Sequence, residues 1–390
     1  MNSLERIKAA ISHQEADHVP YDLGGTTVTS ISDEAFEKAM NFRGLPADYD
    51  SSKTVDVVQS IIIPPDSILD KLKIDTKRVG IERTLDLEKR MKVTGTLSEF
   101  NDQYNCLWAF DSASDHYYNQ KSFPLSHFTT IKEAVETLQL SDFKEHREHI
   151  YSLFDSQINS VGTHAWIADR CCAGLTEMAF RFRGYQHFYL DLAMDGVSAR
   201  NLLEKIADHK IAYWEVVGDY IIDRGLQEHI PIVAECDDLG AQNGLLVSKK
   251  MMDEIIFPPM SRVLKAIKKK MPWVKIFFHC CGSIRPLLPD FIEMGIDILN
   301  PVQYAAKDMG LAVLKKEFGK ELTFWGGGVD TQNVLSSGSP QEVEDEVKRN
   351  IDILAPGGGF VFVPVHNVLA DVSPENFWAM WDAWDKHGKY

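Results

Sequence analysis

The sequence predicts an α/β fold, a (β/α)8 TIM barrel, on three observations. From about residue 160 onward, short apolar runs alternate with helical patterns, and that alternation means parallel pairing. The runs are apolar almost throughout rather than at every second position, as strands buried on both faces require. Together with two runs nearer the front they approach eight, which favours a closed barrel over an open sheet.

The chain opens with MNSLERIKAAISHQ, an amphipathic helix broken by charge rather than a signal peptide. PYDLGG (20–25) and RVGI (78–81) are the first two strands. The stretch 84–128 is polar, aromatic and weakly periodic, and it reads as a β-rich insertion capping the barrel mouth. HAWIAD (164–169), IPIVAEC (230–236), VKIFFHC (274–280), GIDILNP (295–301), LTFWGGG (322–328) and GFVFVPV (359–365) supply the remaining strands. Between the second and third of these lies a helical stretch with a Pro258-Pro259 pair, where a kink or a helix boundary is expected. Ser339-Pro340-Gln341-Glu342 combines an N-cap, a proline at N1 and a capping-box glutamate. Ser373-Pro374-Glu375 opens the last helix, which Lys386, His387 and Gly388 close. Residues 1–390 are expected to form one domain.

Charge and composition exclude several functions. With 41 Lys+Arg against 57 Asp+Glu, a net charge of −16 leaves no footprint for nucleic acid. Lys268-Lys269-Lys270 reads as the solvated end of a helix. No apolar run approaches the roughly 20 residues of a membrane span, so no membrane partner is expected. Six cysteines, including the adjacent pairs Cys171-Cys172 and Cys280-Cys281, do not form a disulfide framework. A reduced, cytoplasmic protein is expected.

In such a barrel, catalytic groups sit at the C-terminal ends of the strands. Glu235-Cys236-Asp237-Asp238, His279-Cys280-Cys281-Gly282, the glycine turn Gly326–Gly328 and His366-Asn367 therefore converge on one mouth. Alternate residues of an extended segment point the same way, so His279 and Cys281 can reach one zinc ion while Cys280 turns into the packing. A catalytic zinc usually takes three protein ligands, and Glu235, Asp237 and His366 are the candidates for the remainder.

Segments such as RIKAAISHQEADHVPYDLG, KLKIDTKRVGI, ECDDLGAQNGLLVS, FFHCCGSIRPLLPDFIEMGIDILNPVQ and HNVLADVSPENFWAM follow, in order and spacing, the pattern of a known family. Over nearly its whole length the chain resembles the uroporphyrinogen decarboxylase superfamily. The resemblance implies a barrel with its active site at the strand C-termini. True decarboxylases of this family carry an arginine-bearing segment after the first strand, which holds the substrate's carboxylates. Here that place reads Asp22-Leu23-Gly24-Gly25-Thr26-Thr27, without arginine.

The other branch of the superfamily comprises corrinoid-dependent methyltransferases, which bind zinc through His-x-Cys and a later cysteine in a Pro-Gly-Cys turn. His279-Cys280-Cys281 matches the first element. Pro356-Gly357-Gly358 matches the second, with glycine where the last thiolate would stand. A one-cysteine site is harder and more Lewis acidic, and suits polarising an ether oxygen better than delivering a thiolate. The pattern looks like the O-demethylase type, in which a methyl ether, a methoxylated aromatic for instance, gives its methyl group to a cobalt(I) corrinoid (cobalamin).

On that resemblance, zinc held by His279 and Cys281, with Glu235 or His366 as a further ligand, draws charge from the ether oxygen. Asp237 or His366 protonates the leaving group, and Trp108, Tyr117, Trp166 and Phe180 line the small-molecule pocket. The chain has no Asp-x-His-x-x-Gly motif, so the corrinoid is expected on a partner protein, docking on the face that carries the insertion. Family members are often dimers, which makes a homodimer one expected assembly. The rival readings are methyl transfer from the corrinoid to a thiol or pterin, and metal-free decarboxylation.

Overall fold

Seven parallel strands are hydrogen-bonded in chain order: β1 (Thr76–Val79), β2 (Ala165–Ala168), β3 (Ile232–Cys236), β4 (Lys275–His279), β5 (Ile298–Asn300), β6 (Thr323–Trp325) and β7 (Phe360–Val361). The structure, a computed structural model, describes residues 1–49, 54–81, 91–115 and 117–390. The eighth side of the barrel is the segment 20–22. Tyr21 bridges Phe362 in parallel, with Phe362 N donating to Pro20 O at 2.8 Å and Asp22 N to Phe362 O at 3.1 Å. On its other flank Asp75 N donates to Tyr21 O at 2.8 Å. This segment therefore joins β7 to β1, and the barrel closes. It is shorter than the expected 20–25 because Gly24, at φ +98°, turns the chain out of the strand.

Closure sorts every strand by parity. Ile167, Ala234, Phe277, Ile298, Trp325 and Val361 point inward and pack as one cluster, which Ile7, Ala10 and Ile11 of the first helix (Ser3–Ile11) complete. Leu4 N donates to Thr163 O at 2.7 Å, just before β2, so this helix plugs the N-terminal end. Side chains one position along face the outer helices. Register then aligns the strand ends: Cys236 pairs with His279, and His279 with Asn300. These three share the top layer of the interior.

The prolines at 258 and 259 do not stop their helix. The chain stays helical from Lys249 to Lys270, but winds as a π-helix over Met252–Ile256 before the α-helix Phe257–Lys270 begins. Two missing N–H groups in the first α-turn leave carbonyls of the preceding turn without their usual donors, and a wider turn accommodates this.

Within the described part of the insertion, Lys92–Thr94, Leu97–Asn101, Leu107–Asp111 and Asn119–Gln120 form an antiparallel sheet. It packs on the helix Leu175–Arg183 that follows β2. Gln120 Nε2 donates to Arg181 O at 2.7 Å, and the Arg181 guanidinium sits 5.3 Å from the centre of the Trp108 ring. Residues 84–90 and 116 of the expected insertion lie outside the described residues. Among the described residues, no helix is long and apolar enough to cross a membrane.

Phe277 is fully buried against Trp325 in the barrel interior, ring centroids 5.7 Å apart. Phe277→Ala should cost about 3–5 kcal/mol, measured as a lower midpoint in denaturant unfolding with an unchanged slope.

Candidate metal centre

His279 ends β4 and points inward, as parity requires of a residue two beyond Phe277. Its Nδ1 lies 2.6 Å from Asn300 Oδ1 on β5. The Asn300 amide is itself oriented, because its Nδ2 donates to Trp325 O at 2.8 Å. Only an oxygen can then face the imidazole, so Nδ1 carries the ring proton and Nε2 presents a lone pair to the mouth. Cys281 Sγ lies 3.3 Å from that Nε2. A tetrahedral zinc with ordinary bond lengths separates a nitrogen and a sulfur ligand by about 3.5 Å, so the pair is spaced for one ion.

The turn behind Cys281 holds it there. Gly282 has φ +90°, and a Cβ on it would lie 2.5 Å from the Gly240 carbonyl carbon. Cys281 N donates to Asp238 Oδ1 at 2.9 Å, and Gly282 N to Gln303 Oε1 at 2.7 Å. Cys280 faces the other way and accepts Leu239 N–H at 3.4 Å.

His366, beyond β7, brings the third donor: ligand atoms of His279, Cys281 and His366 all lie within 4.8 Å of one another. Its Nδ1 accepts the Asn367 N–H at 2.8 Å. Ligation through Nε2 therefore needs the other tautomer, with the proton on Nδ1, and so the loss of that acceptor bond. Burial, with the charge of Arg170, lowers the His279 pKa to about 4; burial, with the charge of His279, does the same to His366. Both rings are neutral at pH 7, as ligands must be. Burial and neighbouring Asp238 push the Cys281 thiol up, so metal binding there releases a proton and weakens as pH falls.

Two of the donors, Cys281 and His366, line a cavity of about 400 Å³. Gln242, Gln303, Thr331 and Gln332 contribute amides and a hydroxyl to its lining, and Cys281 and His366 border it.

Glu235 and Asp237 are not in this cluster. Glu235 stands at the outward parity of β3, where its oxygens take Lys210 Nζ at 2.7 Å and Trp214 Nε1 at 2.5 Å. Asp237 is fully buried and accepts Thr176 N, Thr176 Oγ1 and Glu177 N, capping the helix Leu175–Arg183 from another loop. Its neighbour Asp238 is the carboxylate beside the donors, with Oδ1 3.9 Å from His279 Nε2. Burial and Glu177 raise its pKa to about 6.

The four aromatic candidates also lie elsewhere. Trp166 has outward parity on β2, between Lys77 and the loop carbonyl of Val161. Phe180 packs among Tyr185, Phe188 and Tyr189. Trp108 is buried under Arg181 and bonded to Asp102, and Tyr117 is half exposed on the insertion.

Position 358 is at the opposite end of the barrel. The turn Pro356-Gly357-Gly358 precedes β7, and a Cβ on Gly358 would meet the Gln14 backbone at 2.5 Å beside the N-terminal plug. A cysteine there could not reach His279, and the third donor comes from the far end of the same strand. Asn300 and Asp238 carry no assigned role in the sequence analysis, although Asp238 stands in the strand-end run 235–238. Asn300 was detectable as the strand-end polar residue in the next strand over from His279.

Because Glu235 serves the Lys210 pair, Glu235→Gln should leave the zinc content of the protein unchanged while lowering its stability by about 3 kcal/mol, since it strands a buried ammonium. Metal analysis and denaturant unfolding of the one variant test both halves.

Among solved structures, a methyltransferase from Methanosarcina mazei covers 99% of this chain and 99% of its own, at 13% identity and a TM-score of 0.63; this is a likeness of fold. An intracellular xylanase from Thermoanaerobacterium saccharolyticum covers 46% of this chain and 66% of its own, at 14% identity and a TM-score of 0.33. No curated protein matches the sequence. The family profile described as Uroporphyrinogen decarboxylase (URO-D) matches residues 173–387, more than half of the chain. That stretch contains β3 to β7 and all three clustered donors, and the chain belongs to the uroporphyrinogen decarboxylase family.

Proposed function

We propose that the protein is a zinc-dependent methyltransferase of the corrinoid-dependent branch, taking a methyl group from a small methyl ether and passing it to the cobalt(I) corrinoid of a partner protein. The observation that carries this reading is the convergence of an imidazole, a thiol and a second imidazole at the strand ends, with the thiol and the second imidazole lining a cavity. His279, Cys281 and His366 would hold the zinc. Bound there, zinc supplies a Lewis acid that makes an ether oxygen a better leaving group.

The chain's own residues do the rest. Asn300 keeps the His279 proton on Nδ1 and its lone pair toward the donors. Asp238, the carboxylate next to the cluster, is placed to give a proton to the departing oxygen. Gln242, Gln303 and Gln332 offer amide donors and acceptors to the substrate. Among the described residues, the cavity lining contains no tryptophan, tyrosine or phenylalanine, which favours a small polar methyl ether over a methoxylated aromatic.

Purified protein should carry about one zinc per chain, and Cys281→Ala should lose it. Asn300→Ala should weaken zinc binding by about ten- to a hundred-fold, read by competition with a chelator. An active protein without metal would instead mean decarboxylase-type chemistry at the mouth.

Small methyl ethers mixed with a cobalt(I) corrinoid protein should yield methylcobalt absorbance only when this protein is added. Asp238→Asn should slow that reaction by about a hundred-fold without changing the zinc content. If methylcobalamin is consumed by a thiol or pterin instead, transfer runs in the opposite direction.

A further inference from the structure

The cavity beside the donors is lined by a buried amide that the chain leaves half used. Gln303 lies just past the end of β5 and is 9% exposed. Its Oε1 accepts Gly282 N–H at 2.7 Å, from the residue next to Cys281. Only an oxygen can take that bond, so the amide has one orientation and its NH2 is the end left over. Among the described residues this Nε2 has no hydrogen-bond partner, and Gln303 lines the same cavity as Cys281 and His366. The other two glutamines of the lining differ. Gln242 and Gln332 are partly or fully exposed at the rim, and Gln242 Nε2 donates to Gln332 Oε1 at 3.3 Å, so each spends an amide atom on the other. Gln303 is the fixed donor of the three.

The rest of the lining sets the charge of what fits. Apart from Cys281 and His366 it offers amides, a hydroxyl and small or aliphatic groups, with no Asp, Glu, Lys or Arg among the described residues. Asp238, the carboxylate near the donors, turns an oxygen to Cys281 N at 2.9 Å and stands outside the lining. A charged substrate would enter with no counter-ion among the lining groups. An uncharged oxygen acceptor, by contrast, completes the Gln303 amide once the substrate has displaced water from it.

Building on the methyl-ether reading, we propose that Gln303 determines specificity, and that the methyl donor is an uncharged ether carrying a second, acceptor oxygen near its methoxy group. Gln303 Nε2 donates to that oxygen, a carbonyl or a hydroxyl, and the methoxy end turns toward His279, Cys281 and His366. An ether without the second oxygen leaves the donor buried and unpaired, and is rejected for that reason.

Shape-matched probes test this without any corrinoid. Methoxyacetone and isobutyl methyl ether share one heavy-atom skeleton, with a carbonyl oxygen in the first where the second has a methyl group. In calorimetric titration of the full-length, zinc-loaded protein, methoxyacetone should bind about ten-fold tighter. Gln303→Met removes the donor and should abolish that preference. Gln303→Glu keeps an oxygen for Gly282 N–H and puts a carboxylate oxygen where the donor was. It should move the preference from methoxyacetone to 2-methoxyethylammonium by about ten-fold. Zinc content and melting temperature are recorded for each variant, and Gln303→Glu carries the test if Gln303→Met does not fold. A role confined to holding the Cys281 turn would lower zinc content in both variants without exchanging one probe for the other, and so overturns the assignment. Equal binding of the two matched probes, no binding of either, or a methoxyacetone preference that survives in zinc-loaded Gln303→Met overturns it as well. A methoxyacetone preference in a protein that never forms methylcobalt keeps the Gln303 contact and removes the methyl-ether reading. Methylcobalt formation at equal rates from methoxyacetone and isobutyl methyl ether does the reverse.

Discussion

The alternation of side chains along strands that close on themselves governs everything at the mouth. In a closed barrel each strand residue faces either the packed interior or the helical layer, and parallel register binds neighbouring strands into common levels. His279, two residues beyond inward-facing Phe277, is therefore committed to the inside, level with Cys236 and Asn300. Glu235, one residue before Cys236, is committed to the outside with equal force. The contact between Asn300 and His279 follows from this level and turns an imidazole into an oriented lone pair.

Two cations buried around this layer are paired directly with carboxylates. Lys210 neutralises Glu235 behind β3, and Arg78 neutralises Asp169 at the end of β2. Each pair satisfies groups whose isolated burial would be prohibitive. Arg170 shares Asp169 only at long range. Asp169, Glu177 and Glu235 raise its pKa further, so its charge is offset by several carboxylates rather than by one partner.

Much of the site was legible in the residues. The period-two spacing of His279 and Cys281 survived folding because the segment stays extended until Gly282 turns it, and His366 lay at a strand end as the barrel rule requires. The candidates that lie away from the donors share one cause, the parity and polarity of the strands. Trp166 sits between two inward residues and so had to face outward. Gly358 precedes its strand and so had to lie at the plugged end. Asp237 and Asp238 differ by one position, in a loop where alternation no longer applies, and only the helix that one of them caps tells them apart.

The sequence by itself determined the alternation of strands and helices, the capped helix starts and the pairing of His279 with Cys281, because each depends on neighbours a few residues away. Tertiary structure alone decided how the barrel closes through residues 20–22, which carboxylate stands beside the donors, and which end of the Gln303 amide is left free. Those outcomes join groups as distant in the chain as Tyr21 and Phe362, and no local pattern records a contact of that span.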